Sequence, residues 1–174
     1  LEKTRLHQEQ AVFVHALLES QKALSRELSD AARFVVGLVP PPLEAPIRTD
    51  IALLPSADLG GDFCSYQWLD QDHLSFFLLD VSGHGIKSAL LAVSLSNLIR
   101  NRGMQSADFA DPASVLENLN ARFQVDVHDY SFFSIWYGVY ELSTRTLSYA
   151  SGGSPPAFLI GNDGTCIDLS TDGL

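Results

Sequence analysis

A six-residue segment, Asp80-Val81-Ser82-Gly83-His84-Gly85, constrains the fold of this chain more than any other feature. It follows a run from His73 to Leu79 that alternates as a buried strand does, and Ile86 to Arg100 after it is helix-like. Its two glycines can take positive φ angles and let the backbone approach a ligand closely. A carboxylate at the end of a strand, a glycine turn and a helix N-terminus together suit a metal and phosphate site.

A second acidic motif, Gly60-Gly61-Asp62, places Asp62 eighteen residues before Asp80. We predict a strand from Asp62 to Trp68, so that adjacent strands bring the two carboxylates together. Converging carboxylates repel each other unless a cation lies between them, and hard oxygen ligands suit Mg²⁺ or Mn²⁺ better than zinc. The alternative interpretation is a pair of ordinary Asp/Gly turns that end two strands.

Together these motifs resemble the bacterial branch of the metal-dependent (type 2C, PPM) serine/threonine phosphatases, in particular the SpoIIE-like and RsbU-like phosphatases of sigma-factor control. The resemblance runs from about Pro40 to Leu174, with further landmarks at Val115 to Asn120, at Tyr137-Gly138-Val139 and at Tyr149 to Pro156. It implies an α+β fold, an antiparallel β-sandwich flanked by helices. It also implies hydrolysis of phosphoserine or phosphothreonine monoesters with two Mg²⁺ or Mn²⁺ ions.

The resemblance implies a role for each matching residue. Asp80 corresponds to the bridging carboxylate, the backbone carbonyl of Val81 to a further ligand, and Asp62 to a residue that binds a metal directly or through water. Asp62 and Asp80 are therefore the expected catalytic and metal-binding residues.

The turn and the approach of the phosphate are assigned to a second set of residues: Gly61, Ser82, Gly83 and Gly85. His84 is not predicted to be a general acid, because the shorter motif of the eukaryotic branch places its histidine where Ser82 stands.

The family completes its metal cluster with two further aspartates near the C-terminus. Thr171-Asp172-Gly173 looks like one of these motifs, but we interpret it as a decoy because few large apolar residues precede it. Ser134 and Ser154 also replace a usual threonine and histidine. We therefore expect at most half of a binuclear site in this sequence, and we expect the C-terminal part of the phosphatase domain to be missing.

The segment from Leu1 to Leu38 has the composition of a helix, with an apolar stripe of imperfect coiled-coil spacing that is broken around Ser20. The run Pro40-Pro41-Pro42 ends it. This predicts a connector helix over 1–39 and a phosphatase-like domain over 40–174. The helix can pack on its own domain or pair with another chain as a homodimer. The resemblance favours a connector from an upstream sensor or receiver domain, as in a response regulator.

Composition excludes several partners. The formal charge of −10 argues against nucleic acid. No stretch is long and apolar enough to span a bilayer, and no signal-peptide pattern is present, so no membrane partner is predicted. The two cysteines, Cys64 and Cys166, lie far apart without metal-type spacing, which is consistent with reduced thiols in a cytoplasm.

The remaining elements follow from local patterns. Asp111-Pro112 predicts the start of a helix with Val115, Leu116, Leu119 and Phe123 on one face. Asp70-Gln71-Asp72 predicts a solvated hairpin turn in preference to a calcium loop. The other predictions are a buried helix at Ile86–Arg100 and strands at Ile47–Leu54, Leu74–Leu79, Phe132–Leu142, Thr146–Ser151, Ala157–Ile160 and Thr165–Leu169.

Three functional hypotheses follow. The first is a phosphatase domain that acts on a phosphorylated regulatory protein, such as an anti-sigma-factor antagonist. The second is an inactive pseudophosphatase that binds a regulator as a scaffold. The third is a relic of the Gly-Gly-Asp-Glu-Phe diguanylate cyclases, which the missing glutamate at Phe63 and the Asp80–Gly85 turn both argue against.

Overall fold

The computed structural model describes residues 2–54, 59–123 and 132–171, where the chain forms helices beside two antiparallel sheets. Four strands form one sheet in the order β1-β2-β3-β4, and β5 pairs with β6 in a separate hairpin. This confirms the α+β class. The elements are α1 (Glu2–Val36), β1 (Gly60–Trp68), β2 (His73–His84), α2 (Ile86–Arg100), α3 (Pro112–Arg122), β3 (Phe133–Glu141), β4 (Thr146–Gly152), β5 (Ala157–Ile160) and β6 (Cys166–Leu169).

The main core lies between one face of the four-stranded sheet and two helices. Helix α2 packs on β1 and β2, and α3 packs on β3 and β4. Burying a large apolar side chain contributes about 1.5–3 kcal/mol. The most deeply buried of these side chains are Phe63, Val81, Leu95, Ile99, Val115, Leu119 and Tyr137.

Both core helices begin where the sequence predicts. The Asp111 carboxylate accepts a hydrogen bond from the Ala113 N–H at 3.0 Å, and Pro112 occupies the first helical position. Helix α2 was expected to be buried all round, and this is wrong for Leu90, which is 62% exposed. Small residues such as Ala92 and Ser96 are buried instead, because they let the helix backbone approach the sheet.

Two strand predictions need correction. Ile47–Leu54 forms no strand, and Leu54 is 89% exposed. Thr49, inside this segment, is held in a local loop instead: its hydroxyl accepts a hydrogen bond from the Leu43 N–H at 2.8 Å. Alternating apolar residues do not make a strand without a neighbour to pair with. The second correction is that β2 does not end at Asp80 but continues to His84.

Helix α1 is exposed to solvent along most of its length. Residues 10–27 are all exposed, whereas Val35 and Leu38 pack against the core at its C-terminal end. The Arg100 guanidinium fixes that end by donating to the Leu38 carbonyl at 3.0 Å. In the described residues, no helix is long and apolar enough to cross a membrane. The division into a connector over 1–39 and a domain over 40–174 stays a prediction.

Candidate active site

Asp62 and Asp80 lie directly opposite each other on the antiparallel strands β1 and β2. Their side chains are exposed, whereas the next pair along, Phe63 and Leu79, is buried against the helices. Opposed residues on such strands have Cβ atoms about 4.5–5.5 Å apart. Burial, the charge of Asp80 and a hydrogen bond with its carboxylate, in that order, raise the pKa of Asp62. A cation bound between the two carboxylates would offset this repulsion.

An irregularity in the strand pairing follows immediately. Asp62 pairs with Asp80 and Gly60 pairs with His84, so the single residue Gly61 lies opposite the three residues 81–83. Only glycine fits at position 61, because a Cβ there would lie 2.3 Å from the Val81 carbonyl oxygen. The bulge thus brings the Gly61 backbone against the carbonyl that the resemblance assigns as a ligand.

The predicted glycine turn has the expected backbone. Gly83 and Gly85 have φ angles of 89° and 91°, which other residues rarely adopt. Gly85 caps α2 without a side-chain hydrogen bond, so the first N–H groups of the helix have no capping side chain. His84 is exposed and pairs with Gly60. The turn therefore offers backbone donors near the acidic pair.

Ser82 fixes the turn by hydrogen bonds in two directions. Its N–H donates to the Phe132 carbonyl at 2.8 Å, and its hydroxyl accepts from the Phe132 N–H at 3.0 Å. The Ser88 hydroxyl donates to the Ser82 carbonyl at 3.1 Å. Sequence reasoning named Ser82 for the turn but missed Phe132, because no local pattern links residues fifty positions apart.

The acidic pair suits a hard divalent ion, but the described residues supply few ligands. Two carboxylates and the carbonyl beside the Gly61 bulge are oxygen donors of the kind that Mg²⁺ and Mn²⁺ prefer. Ser134 lies opposite Asp80 on β3 and adds a hydroxyl at this position of the sheet. Asp172, in the motif interpreted as a decoy, lies outside the described residues.

A second group with potential ligand atoms lies elsewhere. Within the described ranges, Asp72, His73 and Glu141 are the three acidic or histidine residues whose ligand atoms come within 4.8 Å of one another. His73 is seven residues from Asp80 along β2, a separation of about 23 Å in a strand. The sequence did not predict this group, because it depends on the pairing of His73 with Glu141.

The C-terminal end of α1 lies near the strand that carries Asp62. A small cavity lies between the last turns of α1 and the start of β1, and its lining includes Ala32, Val36, Gly60 and Asp62.

Comparison with known proteins places the chain in a family. Residues 70–174 match the family profile of stage II sporulation protein E (SpoIIE). Phosphoserine phosphatase RsbP of Bacillus subtilis (strain 168) is 28% identical over 133 residues, covering 74% of this chain and 32% of RsbP. The chain thus spans about a third of the length of that curated relative.

Solved structures agree on the fold. The SiaA-PP2C domain of Pseudomonas aeruginosa superposes with a TM-score of 0.69 at 18% identity, covering 87% of this chain and 61% of that domain. The PP2C phosphatase domain and regulatory-domain fragment of SpoIIE from Bacillus subtilis gives a TM-score of 0.56 at 15% identity, covering 66% of this chain and 33% of the other. The RsbU and RsbW domains of Rv1364c from Mycobacterium tuberculosis give a TM-score of 0.54 at 22% identity, covering 68% of this chain and 32% of the other. With its PP2C-type fold and a profile match over more than half of its length, this chain belongs to the SpoIIE family.

Proposed function

We propose that this chain is a metal-dependent phosphoserine/phosphothreonine protein phosphatase domain. The observation that carries the proposal is the direct opposition of Asp62 and Asp80 beside the Gly61 bulge. Two neighbouring carboxylates repel each other when both are ionised, so the pair favours the binding of a divalent cation. The similar protein RsbP is a phosphoserine phosphatase, which supports the same reaction class.

One set of residues would bind the metal ion, and a second set would orient the phosphate ester. Asp62, Asp80 and the Val81 carbonyl are the proposed ligands of Mg²⁺ or Mn²⁺. A divalent ion bound there would lower the pKa of a coordinated water from about 15.7 to about 7 and offset charge on the phosphoryl oxygens. The turn at Gly83 and Gly85 lets the backbone approach, and the N-terminus of α2 favours an anionic group such as a phosphoryl oxygen.

The experiment is phosphate release from a phosphoserine peptide by the intact protein, with Mn²⁺, with Mg²⁺ and after chelation. We expect turnover only with a divalent ion and at least a hundredfold loss on Asp80→Asn, on the order of the loss when one strong electrostatic contact is removed from an active site. Asp168→Asn is the matched control, since that exposed carboxylate lies on β6 away from the pair. Turnover that persists after chelation, or that Asp80→Asn leaves unchanged, would contradict the proposal.

A scaffold role is the second candidate, and one observation favours it. In the part of the chain that the structure describes, no third acidic, histidine or cysteine ligand joins Asp62 and Asp80 within 4.8 Å. Tight sites for hard ions use more protein oxygens than this. If the intact protein binds a phosphorylated partner yet releases no phosphate with either ion, the scaffold assignment replaces the phosphatase assignment.

For partners, we propose a phosphorylated regulatory protein such as an anti-sigma-factor antagonist, an upstream sensor or receiver domain, and a second copy of this chain. Control from upstream is supported by the cavity where Ala32 and Val36 of α1 meet Gly60 and Asp62. A homodimer through α1 is supported by its exposed apolar side chains, of which Phe13 and Leu17 are 68% and 59% exposed.

A further inference from the structure

Strand β2 separates from β3 at Ser82 through an exchange of hydrogen-bond acceptors. Residues that form a hydrogen-bonded pair on antiparallel strands normally exchange two backbone N–H···O=C bonds. The Ser82 N–H makes its half of this exchange, because it donates to the Phe132 carbonyl at 2.8 Å. The Phe132 N–H instead donates to the Ser82 hydroxyl at 3.0 Å. The side chain of Ser82 thus takes the place of its own carbonyl in the strand pairing.

The displaced Ser82 carbonyl is bound by helix α2. Ser88, in the first turn of this helix, donates its hydroxyl to that carbonyl at 3.1 Å. Ser88 is only 6% exposed, so the bond is shielded from competing water. The next residue along the turn, Gly83, has a φ of 89°, and glycine adopts positive and negative φ angles about equally readily. The Ser88 bond therefore selects one orientation for a peptide unit that glycine by itself does not fix.

These bonds also bear on the Val81 carbonyl, which is a proposed ligand of the metal ion. The peptide unit between Val81 and Ser82 is planar and trans, so its C=O and N–H groups point in opposite directions. Since the Ser82 N–H points to Phe132 on the β3 side, the Val81 carbonyl points to the β1 side. The 2.3 Å between that oxygen and the position of a Cβ at Gly61 agrees with this direction. The contacts that hold Ser82 thus set where the Val81 oxygen lies.

We propose that Ser82 and Ser88 are positioning residues for the metal site, whose hydroxyl groups hold the Val81 carbonyl in place as a ligand. Neither hydroxyl touches the ion; each fixes one of the two peptide units that adjoin Ser82. Removing an outer partner of this kind typically lowers metal affinity or activity by about 10–100-fold. The inference rests on the proposed function for the identity of the metal ligands. It adds a requirement for two hydroxyl groups, one in the turn and one on α2.

The test is binding of Mn²⁺ to the intact protein, followed by the loss of the electron paramagnetic resonance signal of free Mn²⁺. We expect Ser82→Ala to weaken binding roughly tenfold, because the Phe132 N–H then competes with Ser88 for the one remaining acceptor, the carbonyl of residue 82. Ser88→Ala should cause a smaller loss. The double variant should lose less than the two single losses combined, because both hydroxyl groups act on the same peptide units.

Two other serines of α2 supply matched controls. Ser94→Ala removes an exposed hydroxyl that donates to the Leu90 carbonyl at 2.7 Å, away from the turn. Ser96→Ala removes a hydroxyl that is buried, at 1% exposure, and that has no hydrogen-bond partner among the described residues. Both variants should bind Mn²⁺ as the parent protein does. Ser82→Thr keeps a hydroxyl in the turn and should restore most of the binding.

Residual dipolar couplings, measured by NMR on the metal-free protein, report the orientation of the two peptide units without any ion. Ser82→Ala should change the coupling of the N–H of residue 82, which shares a peptide plane with the Val81 carbonyl. Ser88→Ala should change the coupling of the Gly83 N–H. Ser96→Ala should change neither, so a general loss of packing is distinguished from a loss of orientation.

The proposal is overturned if Ser82→Ala and Ser88→Ala bind Mn²⁺ as tightly as the two controls, or if their couplings equal those of the parent protein. Phosphate release with Mn²⁺ is scored separately on p-nitrophenyl phosphate. A parent protein that binds Mn²⁺ but releases no phosphate contradicts the phosphatase function, whereas weaker Mn²⁺ binding by both alanine variants still supports the positioning role. A parent protein that binds no Mn²⁺ overturns both.

Discussion

Gly61 and Val81 approach so closely that a side chain on the glycine would collide with the backbone of the valine. The Cβ of an alanine would lie 2.3 Å from the Val81 carbonyl oxygen and 3.1 Å from its carbonyl carbon. Both atoms are backbone, so neither can rotate away. The contact joins the two acidic strands at the point where their pairing becomes irregular.

The first prediction is that Gly61→Ala separates β1 from β2 at the bulge. We expect the free energy of unfolding to fall by about 1–3 kcal/mol, measured by urea denaturation, because overpacking against fixed backbone forces strands apart. Metal-dependent phosphate release should fall with it. Gly60→Ala is the control, since its new Cβ would have its nearest neighbour at 3.9 Å. Equal effects of the two substitutions would show that the contact has no special role.

The second prediction concerns the proton affinity of Asp62. Its pKa is raised above the ordinary value of 3.8 by burial and then by Asp80. Asp80→Asn removes the second cause and leaves the first. In a ¹³C NMR titration of the metal-free protein, the pKa of Asp62 should therefore fall but stay above 3.8. A pKa that does not change would mean that the carboxylates do not interact.

The same shift gives a stability prediction with a definite sign. A carboxyl whose pKa is raised on folding contributes its stability below the unfolded value, about 3.8, and that contribution is lost as the pH rises through the folded value. Metal-free Asp80→Asn protein should thus gain stability relative to the parent between pH 3 and pH 7, by at most about 1 kcal/mol. Asp163→Asn should show the opposite sign, because hydrogen bonds from Thr165 lower the pKa of Asp163.

The third prediction concerns the hairpin between β1 and β2, where the Asp70 carboxylate lies 2.9 Å from His73 Nδ1. This hydrogen bond is the largest of the causes that raise the pKa of His73 above 6.5. Backbone N–H donation from Asp72 and the bond from His73 lower the pKa of Asp70 to about 2. The contact therefore stabilises the turn fully between about pH 3.8 and pH 6.5, and it weakens above and below that window.

An NMR titration of the His73 ring protons tests this. Asp70→Asn should bring the pKa of His73 back towards 6.5, and Glu141→Gln should lower it less, because Glu141 acts only through its charge and is a smaller cause. A larger effect of Glu141→Gln than of Asp70→Asn would mean that the cross-strand pair, not the turn, controls this histidine.

The sequence predicted local structure well and long-range geometry poorly. The helix at Ile86–Arg100 and the start of the helix at Pro112 were predicted correctly, because caps and prolines are local signals. The predicted strand at Ile47–Leu54 was wrong, because a local sequence pattern does not show whether a neighbouring strand is available for pairing. The opposition of Asp62 and Asp80 was anticipated, but the bulge at Gly61 and the Ser82–Phe132 bonds depend on register. Register is set by packing across the whole sheet and cannot be read from either motif alone.

The last prediction is that α1 pairs with a second copy of the chain. Three of its exposed apolar side chains fall on one stripe at heptad-like spacing, Phe13, Leu17 and Leu24, whereas Val12, Val14 and Leu18 lie to either side of it. The helix has five acidic and five basic residues, so the net charge of −10 comes entirely from residues outside it. A neutral apolar helix can pair with its copy while the acidic domains stay apart. It also lacks the excess of Lys and Arg that favours binding to an anionic membrane surface.

Analytical ultracentrifugation of the intact protein measures this association. We expect a dimer that Leu17→Glu with Leu24→Glu converts to a monomer, because each substitution places a charge in the apolar seam between the helices. His15→Glu adds a charge to an exposed site on the opposite side of the same helix from Phe13, Leu17 and Leu24, and it should leave the dimer intact. If the double variant and the control sediment alike, α1 does not carry the interface. Its exposed stripe would then require a different partner.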